Sequence, residues 1–186
     1  MDRKLINQPI KRILWIDLEM TGLSPTEDLI LEVGAIATDW NFTEIATYHG
    51  VVKNKLSIIN QRMNMNSSFW DNNPNSKTDL IKQNQTGKPS SKVQTELLEF
   101  VKKNFKSNVP VLLAGNSIHV DRRFIIAKWP KLDAKLHYRM LDVSAWKVVF
   151  DGKYKKKFAK PDAHRALDDI RGSIAELQYY LSKIKK

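Results

Sequence analysis

A mixed α/β fold is predicted by three observations on this 186-residue chain. Strand-like runs crowd the first third, an isolated apolar run sits between amphipathic helices, and a long C-terminal stretch carries one apolar stripe at helical spacing. With 42% hydrophobic content the chain can bury a full core of single-domain size. One domain is expected over residues 13–186, after a short basic leader, 1–12.

The elements follow in order. Residues 13–18, 29–38 and 43–52 read as strands joined by short connections carrying Gly22, Pro25 and Asn41, an antiparallel meander. Residues 54–89 are polar, with scattered anchors such as Met63, Phe69, Trp70, Leu80 and Ile81, and read as loop and short helix. Ser90 and Ser91 are placed to cap a helix whose apolar positions Val93, Leu97, Val101 and Phe105 recur every fourth residue, with Leu98 widening the stripe. That helix should pack on the sheet. Residues 110–114 form a short apolar strand, and 115–121 lead into a helix over about 121–129. A further helix is expected over 141–150, then a lysine-rich loop over 151–162; a fifth strand near 137–142 fits the pattern as well. Last comes a helix striped by Ile170, Ile174, Leu177, Leu181 and Ile184.

Lys and Arg total 31 against 20 Asp and Glu, a net charge of +11, with clusters at Arg122, Arg123 and at Lys153, Lys155, Lys156, Lys157 and Lys160. A polyanionic partner is the natural inference, although a solvated basic face accounts for a charge run equally well. The absence of cysteine excludes a disulfide framework and a thiolate metal site, and fits a reducing compartment. No stretch approaches the roughly 20 apolar residues of a membrane span. A soluble, intracellular protein without a membrane partner is expected.

The chemistry concentrates in five residues. Asp17 and Glu19 end the first apolar run at i and i+2, so both carboxylates leave the strand on one face. Asp121 stands near a helix start, and His164 and Asp169 near another. Each piece has an ordinary explanation: acids mark where a strand meets water, and an acid in a first helical turn suits the helix dipole. A step of five residues turns about 140° around a helix, so His164 shares a face with Asp169 only from the loop entering that helix. Asp168, one step nearer, competes for the same role. Together, however, these groups suit a pair of Mg²⁺ or Mn²⁺ ions about 3.5–4 Å apart, which need hard oxygen ligands from several elements. An imidazole beside them can take the proton of an attacking water. Hydrolysis of a phosphodiester is the chemistry this set fits.

Four stretches then carry a family resemblance: Asp17-Leu-Glu-Met-Thr-Gly-Leu23, Gly115-Asn-Ser-Ile-His-Val-Asp-Arg-Arg123, His137-Tyr-Arg-Met-Leu-Asp-Val-Ser144 and His164-Arg-Ala-Leu-Asp-Asp-Ile170. Their order and wording closely resemble the oligoribonucleases, short-RNA members of the DnaQ-like 3′-to-5′ exonucleases, over nearly the whole chain. The resemblance implies an RNase H-like fold, a mixed five-stranded sheet flanked by helices. It implies Asp17, Glu19, Asp121 and Asp169 as ligands of two divalent ions, with Asp169 preferred over Asp168, and His164 as general base. Leu23 matches a leucine that wedges against a substrate base, and Trp70 an aromatic that shapes the same pocket. Ser117, Arg139 and Ser144 match positions capping the substrate's 5′ phosphate, which an Arg fork and hydroxyl donors suit chemically.

Tyr138 matches a tyrosine reaching across a dimer interface into the neighbouring site, so a homodimer is implied. The expected substrate is short single-stranded RNA, from dinucleotides to a few nucleotides, cut to nucleoside 5′-monophosphates in the cytoplasm or an organelle such as the mitochondrion. Two departures stand out. Asn75 occupies a position where bacterial relatives carry histidine, and residues 146–161 are shorter and lysine-rich, closer to eukaryotic members. A DNA exonuclease and a non-catalytic RNA-binding module are the competing readings. Against the first stands the phosphate-capping set, against the second the complete ligand set.

Overall fold

The apolar run that opens Ile13–Met20 (β1) and the nearly unbroken one of Ile30–Thr38 (β2) put both strands at the centre of the structure, because only a strand covered on both faces can be apolar at successive positions. The computed structural model describes residues 10–159 and 165–184. Glu44–Val51 (β3), Val111–Gly115 (β4) and Leu136–Asp142 (β5) complete a five-stranded sheet of order β3-β2-β1-β4-β5. The meander β1-β2-β3 is antiparallel, whereas β4 runs parallel to β1 and β5 parallel to β4. The mixed five-stranded architecture expected from the sequence is therefore present, including the fifth strand.

Helices cover both faces. Ser90–Asn104 (α4) turns Val93, Leu97 and Val101 onto Leu14, Ile16 and Leu113, in a core shared with Phe124, Ile125 and Trp129. On the other face Val143–Tyr154 (α7) and Ala166–Ser182 (α8) pack on Ile13, Trp15 and Ile36 through Val143, Ile170, Ile174 and Leu177. Three helices, Leu56–Met65 (α1), Ser67–Trp70 (α2) and Pro74–Gln83 (α3), close one end around Leu31, Ile59, Met63, Trp70 and Leu80. His119–Lys128 (α5) and Pro130–Asp133 (α6) bridge β4 to β5.

Several expectations need correction. Residues 54–89 are largely helical rather than mainly loop; each helix there buries only one or two residues, too narrow a stripe for a periodicity to show. Ser90 and Ser91 do not cap α4. Pro89 holds the capping position at φ −52° and ψ 141°, and the Ser90 hydroxyl instead accepts from Trp129 Nε1 at 2.9 Å. Helix α5 starts at His119 and α7 extends to Tyr154, so the lysine-rich loop begins later than expected. Ile184 lies beyond the end of α8 and is 51% exposed, so the stripe stops before it. At the other terminus Ile10 is already tied in, its carbonyl accepting from Trp40 Nε1 at 2.6 Å. None of the helices among the described residues is long and apolar enough to cross a membrane.

Candidate active site

Strands β1, β4 and β5 are mutually parallel, so their carboxyl ends open on one side, and there the chain leaves its acids and hydroxyls. Asp17 and Glu19 stand at that end of β1, beside a bulge between Glu19 and Met20 that re-aims the strand. Gly34 pairs across the ladder with Asp17. A Cβ at Gly34 would come within 2.9 Å of the Ala166 carbonyl carbon, so the missing side chain is what lets the start of α8 lie against the sheet. That approach delivers Asp169. Oxygen atoms of Asp17, Glu19 and Asp169 lie within 4.8 Å of one another, each side chain partly buried.

The Asp169 carboxylate also closes the start of its own helix by accepting from Arg165 N–H at 3.1 Å, where the helix dipole favours negative charge. Asp168 points away, its side chain 63% exposed and 3.7 Å from Arg171. Packing thus selects between the two adjacent acids. Asp121 stands outside the tight group but against it: 6% exposed, it accepts from Leu18 N–H at 2.9 Å, between the two β1 acids. His164 lies outside the described residues.

Crowding of acids shows in the proton affinities. Burial, then the charges of Asp169, Glu32 and Asp121, push Glu19 from 4.5 to about 8, with Arg165 opposing. Burial, with help from the Asp142 charge, pushes Asp121 from 3.8 to about 7 against the Leu18 hydrogen bond. Hard oxygen donors whose ionised state needs nearby positive charge fit a divalent cation.

Around this group the remaining expected residues fall into two sets. Leu23 is 67% exposed on the turn after β1. Trp70, at 1% exposed, lies beneath that turn and donates from Nε1 to the Thr21 carbonyl at 2.9 Å. Its role is to hold the turn, and the neighbouring Phe69, stacked edge-on against it at 5.0 Å, is the exposed aromatic of the pair.

On the opposite flank Ser117 and Ser144 meet, their hydroxyls 3.0 Å apart, and Ser117 N–H donates to Ser144 Oγ at 2.6 Å and to Asp142 Oδ1 at 3.0 Å. Ser117 takes φ 51°, a left-handed conformation uncommon outside glycine, which this bonding stabilises. Arg139 and Tyr138 lie on β5 and pair with each other, the guanidinium 5.3 Å from the ring centre. Among the described hydrogen bonds neither side chain joins the serine pair. Arg122, read from sequence as part of a basic patch, is committed to Asp133 at 3.2 Å and the His137 carbonyl at 2.7 Å.

Cavities of about 540 and 350 Å³ open at the far end of the sheet, around Phe105, Val109, Pro110 and Val111. Chemistry and volume therefore point to different places. The acids identify the site, because the cavity walls gather no comparable set of acids.

Sequence reasoning missed Glu32, His49, Gln83, Arg165, Asp142, Asn116 and Glu176. Glu32, a lone charge inside an apolar strand, was the visible signal among them. Glu176, fully buried, accepts from Asn116 Nδ2 at 3.1 Å and Tyr180 OH at 2.9 Å, and so braces the turn that carries Ser117.

The exonuclease family RNase_T matches residues 14–177. An oligoribonuclease from Francisella tularensis subsp. novicida is 38% identical over 182 residues, covering 95% of this chain and 98% of the relative. Another from Idiomarina loihiensis is 36% identical over 174 residues, covering 91% and 92%. Exonuclease I from Methylocaldum szegediense shares the fold, with TM-score 0.65 at 15% identity over 93% of this chain. So does the E. coli exonuclease I complex with a 5cy-dT13 oligonucleotide, with TM-score 0.65 at 12% identity over 94%. The chain spans about two fifths of either exonuclease I structure. A sheet that gathers its acids at one end, and near-complete alignment with oligoribonucleases, place this chain in the oligoribonuclease family of exonucleases.

Proposed function

We propose that this protein removes nucleoside 5′-monophosphates from the 3′ end of very short single-stranded RNA, using two divalent ions held by Asp17, Glu19, Asp121 and Asp169. The observation that carries this reading is the convergence of carboxylates from β1 and α8 within 4.8 Å. Two Mg²⁺ or Mn²⁺ ions held by these carboxylates would supply Lewis acidity for the scissile phosphate and the leaving 3′ oxygen. The chain's own residues do the rest. Asp17 and Glu19 orient through β1, and Asp169 through the start of α8. Asp121 is held against β1 by Leu18 N–H. His164 takes the proton of the attacking water.

At the other end of the substrate the Ser117 and Ser144 hydroxyls, with the Arg139 guanidinium, bind the 5′ phosphate. A closed end of this kind admits about two to a few nucleotides and disfavours longer chains. Leu23, exposed above the Trp70-braced turn, packs against a base. Tyr138, 55% exposed on β5, meets the neighbouring site in a homodimer. The protein works in the cytoplasm or in an organelle.

Digestion of 5′-labelled RNAs from two to about 20 nucleotides, with Mg²⁺ or Mn²⁺, tests the reading. Rapid cleavage of the dinucleotide, slow trimming of long RNA, and no cleavage by Asp17→Ala or with EDTA are expected. Equal cutting of long RNA or DNA would instead make it a general exonuclease with an open 5′ end. No cutting at all would leave a binding module, whose RNA affinity responds mainly to salt.

A further inference from the structure

Glu32 is the one acid of β2, 1% exposed, and pairs across the ladder with Glu19 at the bulge. A carboxylate this deep is costly unless its oxygens are filled. They are filled by four groups from three elements. Its Oε1 lies 3.1 Å from His49 Nε2 on β3 and 3.3 Å from Ala166 N–H. Its Oε2 accepts from Gln83 Nε2 on α3 at 2.5 Å and lies 3.3 Å from Arg165 Nε. Arg165 in turn donates from Nη2 to Gln83 Oε1 at 2.9 Å, closing a ring of three side chains. Burial works to raise the Glu32 carboxyl, but hydrogen bonds from His49 and Gln83 and the Arg165 charge hold it below its ordinary range. With about four lone-pair sites per carboxylate, little capacity remains for a further ligand.

What the ring grips is the first turn of α8. Residues 165 and 166 are held by Glu32, and Arg165 N–H holds Asp169. We propose that Glu32, with Gln83 and Arg165, is a positioning residue for the reaction: it docks the start of α8 and so sets the span between Asp169 and the β1 acids. Glu32 touches neither ion nor substrate in this role. A purely architectural ion pair would need no link to Asp169, whereas here one backbone amide separates the two carboxylates' partners.

The inference rests on the two-metal reading, and the test separates them. Wild type, Glu32→Gln and Arg165→Met are compared by thermal melting, by kcat and KM on a dinucleotide, and by calorimetric titration of Mn²⁺ into RNA-free protein. Glu32→Gln is expected to lose about 10- to 100-fold in both kcat and Mn²⁺ affinity, the scale seen for residues that orient metal ligands, with KM changed by less than about twofold. Arg165→Met, half-exposed and milder, should move both in the same direction, and it decides the matter if Glu32→Gln fails to fold. Variants that melt earlier but keep wild-type kcat and Mn²⁺ affinity would overturn the proposal while leaving the two-metal reading intact. A wild type without Mn²⁺-dependent hydrolysis would overturn both.

Discussion

Two acidic corners lie at the ends of the same turn, and they are built in opposite ways. Asp28, 1% exposed, accepts from Thr21 Oγ1 at 3.0 Å, Ser24 N–H at 2.9 Å and Arg62 Nε at 3.0 Å. Burial works to raise it, yet the Arg62 and Ser24 hydrogen bonds hold it below the usual carboxylate range. Glu19, nine residues earlier, is buried among Asp169, Glu32 and Asp121 and is raised to about 8. Both acids are at least partly buried. What differs is whether the fold supplies donors, and that difference separates an acid that builds the turn from one crowded among like charges.

The sharpest break of this contrast comes from Glu19→Gln, which removes charge from the crowded corner at nearly constant shape. Activity on a dinucleotide at pH 8 should fall by about 10²–10³-fold, the scale for losing one electrostatic contact to a transition state. The metal-free protein should melt no earlier than wild type, because the variant removes a carboxylate whose ionisation the fold opposes. A variant that unfolds while its residual folded fraction stays fully active would reverse the assignment of the two corners.

The counterpart is Asp28→Ala, expected to destabilise by about 3 kcal/mol because the Thr21 hydroxyl and Ser24 N–H both lose their acceptor, while Arg62 keeps Glu27 at 3.0 Å. For a chain of this size that is a fall in Tm of roughly 6–12 °C. The pH dependence has a definite sign. A folded-state pKa below the unfolded value contributes stability that is present above the unfolded value and lost as pH falls through the folded one. Wild type should therefore lose more stability than Asp28→Ala between neutral pH and about pH 3. Parallel acid profiles would show that Asp28 is not held as described.

Much of the site was legible because its residues are marked locally. Asp17 and Glu19 end an apolar strand at a spacing that fixes their common face, and Asp121 lies inside a helix start. The rest depended on packing. Asp168 and Asp169 are adjacent, and only the closeness of α8 to Gly34 decides which one meets β1. Glu32 finds Gln83 51 positions away and Arg165 133 away, separations that no periodicity reports. Trp70 was legible only as an aromatic; that its indole N–H reaches the Thr21 carbonyl 49 positions away is a matter of packing.

The crowded corner also has a pH signature. Glu19 is raised to about 8 and Asp121 to about 7. Between the unfolded carboxylate values and these, the folded protein holds more protons than the unfolded chain, so stability falls as pH rises. Metal-free protein should thus lose several degrees of Tm from about pH 5 to about pH 8 at these two groups, and saturating Mn²⁺ should flatten that slope by stabilising the ionised forms. Equal slopes with and without Mn²⁺ would mean that the ion does not bind at this corner.

The smallest expected effect tests how the structured corner serves the functional one. Thr21 carries Asp28's partner hydroxyl, and its carbonyl accepts from Trp70 Nε1 at 2.9 Å and Asn66 Nδ2 at 3.2 Å. Two residues on, Leu23 stands exposed above this support. Trp70→Phe keeps an aromatic ring among Leu31, Ile59, Met63 and Leu80 but removes the indole donor, a loss of about 1 kcal/mol, or roughly 2–4 °C in Tm. If the turn positions Leu23 against a base, KM for the dinucleotide should rise about threefold, a loss of roughly 0.6 kcal/mol in binding. The value of kcat should stay near wild type, because the β1 acids are held by the sheet and α8. A fall in kcat at constant KM would join Trp70 to the acidic corner, and the division between a corner that shapes and a corner that reacts would have to be redrawn.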